Sequence, residues 1–133
     1  MPIRRLLAAA ALLLLSACGD ATAPDPGLLG TFTLRTIAGK TLPWAQSASP
    51  GDTVWVLGGT RTFNADSTYL ESYEYRYVHS GVSRLDYPQL TGPYRAFGDS
   101  VEIYHIGPTP EIARRSGRTL VVHGRYEDWV YRR

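Results

Sequence analysis

The stretch that most constrains the fold is residues 54–78, VWVLGGTRTFNADSTYLESYEYRYV. It predicts two long β-strands, at 53–63 and 67–78, folded back on each other through a turn at 64–67 (NADS). Asparagine, aspartate and serine favour turns because their side chains hydrogen-bond the nearby backbone. The pair Gly58-Gly59 inside the first strand predicts a bulge or a sharp bend. The chain is therefore expected to be organised around one long, bent hairpin.

The remainder of the chain repeats this plan with shorter arms. Residues 30–37 (GTFTLRTI) alternate apolar and polar side chains with the period of a half-buried strand. Beyond residue 17 no segment of ten or more residues has the apolar spacing of a helix, and a single turn at 42–48 is the predicted exception. The further predicted strands are a weak one at 82–90, broken by Pro88, then 94–97, 100–106, 111–115, 118–123 and 129–131. Eight or nine short strands joined by local turns predict an all-β, antiparallel up-and-down meander, closed as a barrel or half-barrel or packed as a sandwich.

The first seventeen residues predict an export signal. Arg4 and Arg5 precede an unbroken apolar run at 6–15, and small residues follow. The run is too short to serve as a stable membrane span. The sequence LSAC at 15–18 matches the bacterial lipobox, and this resemblance implies cleavage before Cys18 and acylation of that cysteine with chains such as palmitate. The alternative is an ordinary signal peptide followed by a chance cysteine.

These features divide the chain into a signal peptide at 1–17, a lipidated N-terminus and flexible tether at 18–28, and a β domain at 29–133. Cys18 is the only cysteine, so stability must come from an apolar core rather than from a disulfide. Without Arg4 and Arg5, twelve basic residues balance twelve acidic ones. The sequence therefore has no footprint of nucleic-acid binding, and its largest basic cluster, at 114–118, is interpreted as a solvated turn.

Short motifs spread over nearly all of the mature chain resemble those of small bacterial lipocalin-like lipoproteins. GTFTL at 30–34 leads into GKTLP at 39–43, as the opening strand of that family leads into its next segment. The later matches are TFNADSTY at 62–69, GPY at 92–94 with GDSV at 98–101, and WVYR at 129–132. The resemblance implies a lipocalin-like barrel and binding of an apolar small molecule, and it implies no catalytic residues.

Four tyrosines on the second arm of the hairpin are the candidate ligand-binding residues. Tyr69, Tyr73, Tyr75 and Tyr77 share one parity, with Glu71 among them, so one register places all of these side chains on the same face of the strand. If that face is inward, the rings and hydroxyl groups would line a ligand cavity. Alternatively, the rings fill a small barrel or cover its outside, since tyrosine is a common strand residue.

No pattern in the sequence predicts an enzyme, and we expect no catalytic residues, no metal and no cofactor. His79, His105 and His123 lie at or near predicted strand ends, and no two of them have the i, i+2 or i, i+4 spacing of metal ligands. A metal site would require them to converge with a carboxylate such as Glu102. Neither a nucleophile elbow nor a phosphate-binding loop is present.

The leading functional prediction is a membrane-anchored envelope lipoprotein whose lipocalin-like barrel binds a small apolar or amphiphilic ligand. Gly19 rather than aspartate follows Cys18. By resemblance to lipoprotein sorting in Gram-negative bacteria, that residue predicts the outer membrane, facing the periplasm. The alternative is a solid-core barrel that serves as a structural or protein-interaction module, with loops at 46–52 and 87–92 contacting an envelope partner.

Overall fold

The computed structural model describes residues 25–133, so the predicted signal peptide and Cys18 lie outside the described part. Within it the chain forms eleven β-strands and no helix, and accordingly none of its segments is a helix long and apolar enough to cross a membrane. The strands are β1 (Gly30–Ile37), β2 (Lys40–Thr41), β3 (Trp44–Ser49), β4 (Asp52–Phe63), β5 (Thr68–His79), β6 (Val82–Asp86), β7 (Gln89–Phe97), β8 (Ser100–Ile103), β9 (Glu111–Ser116), β10 (Thr119–His123) and β11 (Asp128–Arg132).

Eight of these strands close into an antiparallel barrel. The order around the ring is β1, β4, β5, β7, β8, β9, β10 and β11, and β11 pairs again with β1. The ring closes because Gly30 of β1 lies opposite Phe63 of β4, and Thr33 lies opposite Thr60. This confirms the predicted all-β meander of about eight strands and selects the closed barrel over the half-barrel and the sandwich. Closure gives each of these eight strands a neighbour on both sides, which removes free edges from the ring. The strands β2, β3 and β6 each pair on one side only.

The long hairpin extends beyond one end of this ring. β4 and β5 pair along their whole length, from Asp52 opposite His79 to Phe63 opposite Tyr69. However, β1 pairs with only the last four residues of β4, and β7 with only the first five of β5. The remaining halves of β4 and β5, with β3 and β6 on their two sides, form what we call the overhang.

Three predictions along the overhang have different outcomes. The turn expected at 42–48 and the loop expected at 46–52 are wrong, because β3 occupies Trp44–Ser49 and pairs with β4. The bulge expected at Gly58-Gly59 is confirmed, since the register of β4 against β5 shifts between Val56 and Gly58. The bulge keeps both Val56 and Gly59 opposite tyrosines of β5.

The barrel has a closed end, which we call the base. Here the short turn at 25–28 places Leu28 beneath the barrel with 1 % of its surface exposed. Above it the rings of Phe32, Phe63 and Tyr94 meet edge to face, with centroids 6.1 Å and 4.9 Å apart. The other end, where β1 ends and β11 begins and over which the overhang projects, we call the mouth. Apolar side chains therefore fill the barrel from the base upward.

Candidate functional site

The tyrosine row faces inward, and it divides into two parts. Tyr69 is completely buried inside the barrel, and Tyr73 lies above it, packed against the core. Tyr75 and Tyr77 continue on the same face of β5 but belong to the overhang, where both are half-buried. The tyrosine row thus fills the interior of the barrel towards the base and continues beyond the barrel at the mouth.

Gly59 makes the inward position of Tyr73 possible. The two residues lie opposite each other on β4 and β5. A Cβ atom at position 59 would lie 2.6 Å from the Tyr73 ring, whereas one at Gly58 would have its nearest neighbour at 4.0 Å. Glycine therefore has a packing role at 59, in addition to the bend that the pair was predicted to produce.

A buried ion pair occupies the middle of the barrel. Arg61 and Glu71 face each other across β4 and β5 with 1 % and 3 % of their surfaces exposed. Arg61 Nη2 donates to Glu71 Oε2 at 2.6 Å, and Nη1 donates to Glu111 Oε2 at 2.8 Å. Charges at this depth require such partners because the loss of hydration is otherwise uncompensated. Glu71 was expected within the tyrosine row, whereas Arg61 was not predicted as a site residue. Its parity with Phe63 was the available signal.

Two phenols complete the surroundings of the guanidinium. The hydroxyl groups of Tyr73 and Tyr131 lie 2.8 Å apart, and Arg61 Nη2 donates to the Tyr73 hydroxyl at 3.4 Å. Burial raises the pKa of both phenols, so both stay neutral. Burial alone would lower the pKa of Arg61, but the two phenols and both glutamates raise it, so the guanidinium stays charged.

His105 connects this network to solvent. Its Nδ1 lies 2.7 Å from the Tyr69 hydroxyl, and its Nε2 lies 3.1 Å from Glu111 Oε2. The side chains of His105 and Glu111 are 31 % and 26 % exposed. The hydrogen bond to Glu111 raises the pKa of His105, despite partial burial. Burial would raise the pKa of Glu111, but His105 and Arg61 together hold it below its ordinary value.

The three histidines do not converge. His79 pairs with Asp52 at 2.6 Å and His123 with Asp128 at 2.9 Å, far along the chain from His105. Glu102 accepts a hydrogen bond from Tyr104 instead of approaching a histidine. Among the described residues, one histidine and two carboxylates come within 4.8 Å of one another, namely His105, Glu71 and Glu111. Because Arg61 donates to both of those carboxylates, the set is organised around an arginine rather than around a metal ion.

Five aromatic side chains form a continuous half-buried surface at the mouth, which we call the aromatic ledge. Its members are Trp44 of β3, Tyr73, Tyr75 and Tyr77 of β5, and Trp129 of β11. Ring centroids are 6.4 Å apart for Trp44 and Trp129, 5.4 Å for Trp129 and Tyr73, 5.7 Å for Tyr73 and Tyr75, and 6.0 Å for Tyr75 and Tyr77. The two tryptophans were not predicted as site residues, because the contact that joins β3 to β11 is not visible in local sequence.

The outer end of the ledge carries a positive charge. The guanidinium of Arg84, on β6, lies 5.5 Å from the centre of the Tyr77 ring. At the neighbouring position, burial raises the pKa of Tyr75 to about 12, so this phenol is also neutral near pH 7. The ledge therefore offers aromatic rings with hydroxyl groups, bounded by one cation.

An open depression of about 420 Å³ lies beside the mouth rather than inside the barrel. It is lined by Ala38 and Gly39 of the turn after β1 and by residues 124–128, which run from the loop after β10 to the first residue of β11. None of the four candidate tyrosines lines it. The arrangement that brings those tyrosines together is the ledge above the filled barrel.

Comparisons with known proteins do not assign the chain to a family. No family model matches the chain, and neither the curated proteins nor the solved structures include a match. The functional interpretation consequently rests on the geometry of the mouth, where an aromatic ledge adjoins a buried ionic network.

Proposed function

We propose that this protein is a membrane-anchored envelope lipoprotein that binds a small amphiphilic molecule at the mouth of its barrel. The apolar part of the ligand lies on the aromatic ledge, and its polar group reaches Glu111 and His105. The observation that carries the proposal is the continuity of the half-buried ledge with a polar network at the same end. The role is binding rather than catalysis.

The ledge suits the apolar part of such a ligand. From Trp44 to Tyr77 its rings follow one another at contact distance, from β3 across β11 to the inward face of β5. Aromatic rings bury large areas and retain polar atoms that orient a ligand. Because Tyr69 and Arg61 already fill the barrel below, the site is a shallow one at the mouth rather than a deep calyx.

The polar group of the ligand has two partners at the edge of the network. Glu111 and His105 are the members of the network with substantial solvent exposure. Glu111 accepts hydrogen bonds, and His105 exchanges protons near neutral pH. Tyr73 belongs to the ledge and also accepts from Arg61, so it links the aromatic and ionic parts of the site.

The proposed localisation in the cell envelope rests on the sequence. The lipobox at 15–18 supports acylation of Cys18, and Gly19 supports outer-membrane sorting with the domain facing the periplasm. The closed meander is also the architecture implied by the resemblance to lipocalin-like lipoproteins. Replacement of Cys18 by serine should release the protein from the membrane fraction, and continued membrane attachment of a cleaved, unacylated chain would contradict the anchor.

The ledge is tested by titrating the protein with N-phenyl-1-naphthylamine, a small apolar fluorophore, and comparing two tryptophan variants. Trp44 lies on the ledge, whereas Trp55 of the adjacent strand β4 lies on the opposite face, stacked with Arg76. W44A should weaken saturable binding several-fold through loss of ring contacts, and W55A should leave it unchanged. Circular dichroism checks that both variants fold. Absence of saturable binding to the unaltered protein, or equal losses in the two variants, would contradict the proposal.

A second function, protein interaction, is favoured by a different observation. Apolar side chains project into solvent from the loops of the mouth end, notably Ile106 at 99 % and Tyr126 at 85 % exposure. Tyr87, between β6 and β7, is also exposed, and so is Leu90. The contact loop predicted at 87–92 is wrong from residue 89 onward, because β7 begins at Gln89 and pairs with β5. If this surface receives an envelope protein, replacing Ile106 and Tyr126 by serine should abolish cross-linking in native envelopes while fluorophore binding persists. Unchanged cross-linking would remove this candidate.

A further inference from the structure

The fold collects five arginines at the base of the barrel. Arg114, Arg115 and Arg118 flank the turn between β9 and β10, and Arg132 and Arg133 end the described chain. Thr119, next to Arg118, lies opposite Arg132, and the backbone N–H of Arg133 donates to the carbonyl of Arg118 at 3.0 Å. In the sequence these arginines form two separate groups, at 114–118 and at 132–133. The pairing of β10 with β11 brings the two groups together.

The chain enters the domain at this same end. Arg115 forms an ion pair with Asp25, and Arg133 donates to the carbonyl groups of Gly27 and Leu29. Together with the burial of Leu28, these bonds fix the residues that follow the tether against the base. The seven residues 18–24 span at most about 25 Å when fully extended. An anchor at Cys18 would therefore hold the base, not the mouth, next to the bilayer.

Three aspartates lie at the base, namely Asp25, Asp99 and Asp66 of the turn between β4 and β5, so the five positive charges are only partly neutralised. Asp25 is engaged by Arg115, and Asp99 lies 3.8 Å from Arg114. Arg118 and Arg132 are exposed and have no ion pair within residues 25–133. These two side chains are available to an anionic surface.

An exposed aromatic ring lies at the same end of the barrel, two strands away from Arg114. Phe97, which precedes the turn between β7 and β8, is 59 % exposed. It lies opposite Ser100, which in turn lies opposite Arg114. Phenylalanine next to basic side chains is a combination found on surfaces that bind the headgroup region of membranes.

We propose that the base docks on a layer of anionic lipid headgroups in the membrane that holds the anchor, and that this contact points the mouth away from the bilayer. The orientation rests on the proposed acylation of Cys18, but headgroup binding by the base does not. Each arginine near an anionic surface strengthens partitioning by about fivefold, and the attraction decays within about 10 Å at 0.1 M salt. The base alone therefore binds weakly and reversibly, and the tether would raise its effective concentration at the surface.

The test uses a chain that begins at Gly19 and so lacks the lipid. Residues 25–133 contain all eight strands of the closed ring, so this chain retains the folded domain. Its sedimentation is measured with phosphatidylcholine vesicles that contain 30 % phosphatidylglycerol, and with vesicles of phosphatidylcholine alone, in low salt. We expect binding to the anionic vesicles only, and its loss when salt is raised.

Two double variants with the same change of charge separate the two ends. R118E/R132E at the base should weaken vesicle binding more than tenfold. R35E/R125E replaces exposed arginines of the barrel wall and the mouth and should leave it unchanged. Equal binding to neutral vesicles, insensitivity to salt, or equal losses in the two double variants would overturn the docking of the base. Since neither the acyl chain nor the fluorophore site takes part in this assay, such a failure would leave the proposed anchor and ligand site standing.

Discussion

The two ends of the barrel are filled by different chemistry, although the same two strands line both. Near the base, Phe63 lies opposite Tyr69. The next pair whose side chains point into the barrel, towards the mouth, is Arg61 and Glu71. The base below is packed with rings and sealed by Leu28. The middle of the barrel holds an ion pair and neutral phenols, and the mouth above it carries half-buried aromatic rings. We interpret the interior of the base as the part that stabilises the barrel, and the mouth as the part of the interior that stays accessible from solvent.

This difference leads to unequal expectations for stability. Burial of apolar rings contributes favourably to folding in proportion to the area removed from water. A buried ion pair contributes little net stability, because the cost of removing two charges from water offsets their attraction. Breaking such a pair is nevertheless costly, since it leaves one charge buried without its partner.

The largest effect is therefore expected from Arg61. R61M leaves Glu71 buried without its closest cation, and we expect a loss of about 3–5 kcal/mol in the free energy of unfolding. The double variant R61M/E71Q removes both charges and should be distinctly more stable than R61M alone. Urea unfolding of the three proteins measures the difference. If the double variant is no more stable than R61M, the unpaired charge of Glu71 does not cause the loss of stability in R61M.

The second effect compares one substitution at the two ends. L28A opens a cavity beneath the sealed base and should cost about 2–5 kcal/mol in the free energy of unfolding. L90A, at a half-exposed position near the mouth, should cost less than about 1 kcal/mol. Urea midpoints of both variants give the comparison. Similar losses at the two ends would refute the assignment of stability to the base.

The strands and turns at both ends were predicted from the sequence more accurately than the contacts between side chains inside the barrel. Alternation and turn residues located the long hairpin to within one residue at its ends, because strand period and turn chemistry are local properties. The bulge was visible for the same reason, since Gly58-Gly59 interrupts the strand. Parity alone placed the four tyrosines on one face, and it allowed either an inward or an outward row.

What the sequence left open depends on contacts between distant strands. Glu111 reaches Arg61 across fifty residues of chain, and Trp129 reaches Trp44 only after the ring has closed. β3 was missed because its strand character comes from pairing with β4 rather than from its own serine-rich sequence. The arginine cluster at the base was not predicted, because its two groups of arginines become neighbours only through the register of β10 and β11.

The smallest effect concerns the protonation of His105 at the mouth. Because its pKa in the folded protein is raised above the value of about 6.5 expected for the unfolded chain, the charged imidazolium stabilises the fold. That contribution is fully present below about pH 6.5 and is lost as the pH rises through the raised pKa. Glu111 titrates at lower pH, so unfolding is compared between pH 5.5 and 8.5. The stability of the unaltered protein relative to H105Q should fall across this range, by less than about 1 kcal/mol, as expected for a partly exposed pair.

Nuclear magnetic resonance titration of the His105 ring examines the cause directly. E111Q removes the main group that raises the pKa of His105, so the midpoint should move toward lower pH in this variant. In the neutral imidazole the Tyr69 hydroxyl donates to Nδ1 and Nε2–H donates to Glu111, whereas in the imidazolium Nδ1–H donates to the Tyr69 oxygen. The Tyr69 hydroxyl must then turn toward the Tyr104 carbonyl, 3.4 Å away. An unchanged midpoint in E111Q would show that the mouth does not couple His105 to the buried network, and that the polar end of the site is confined to Glu111.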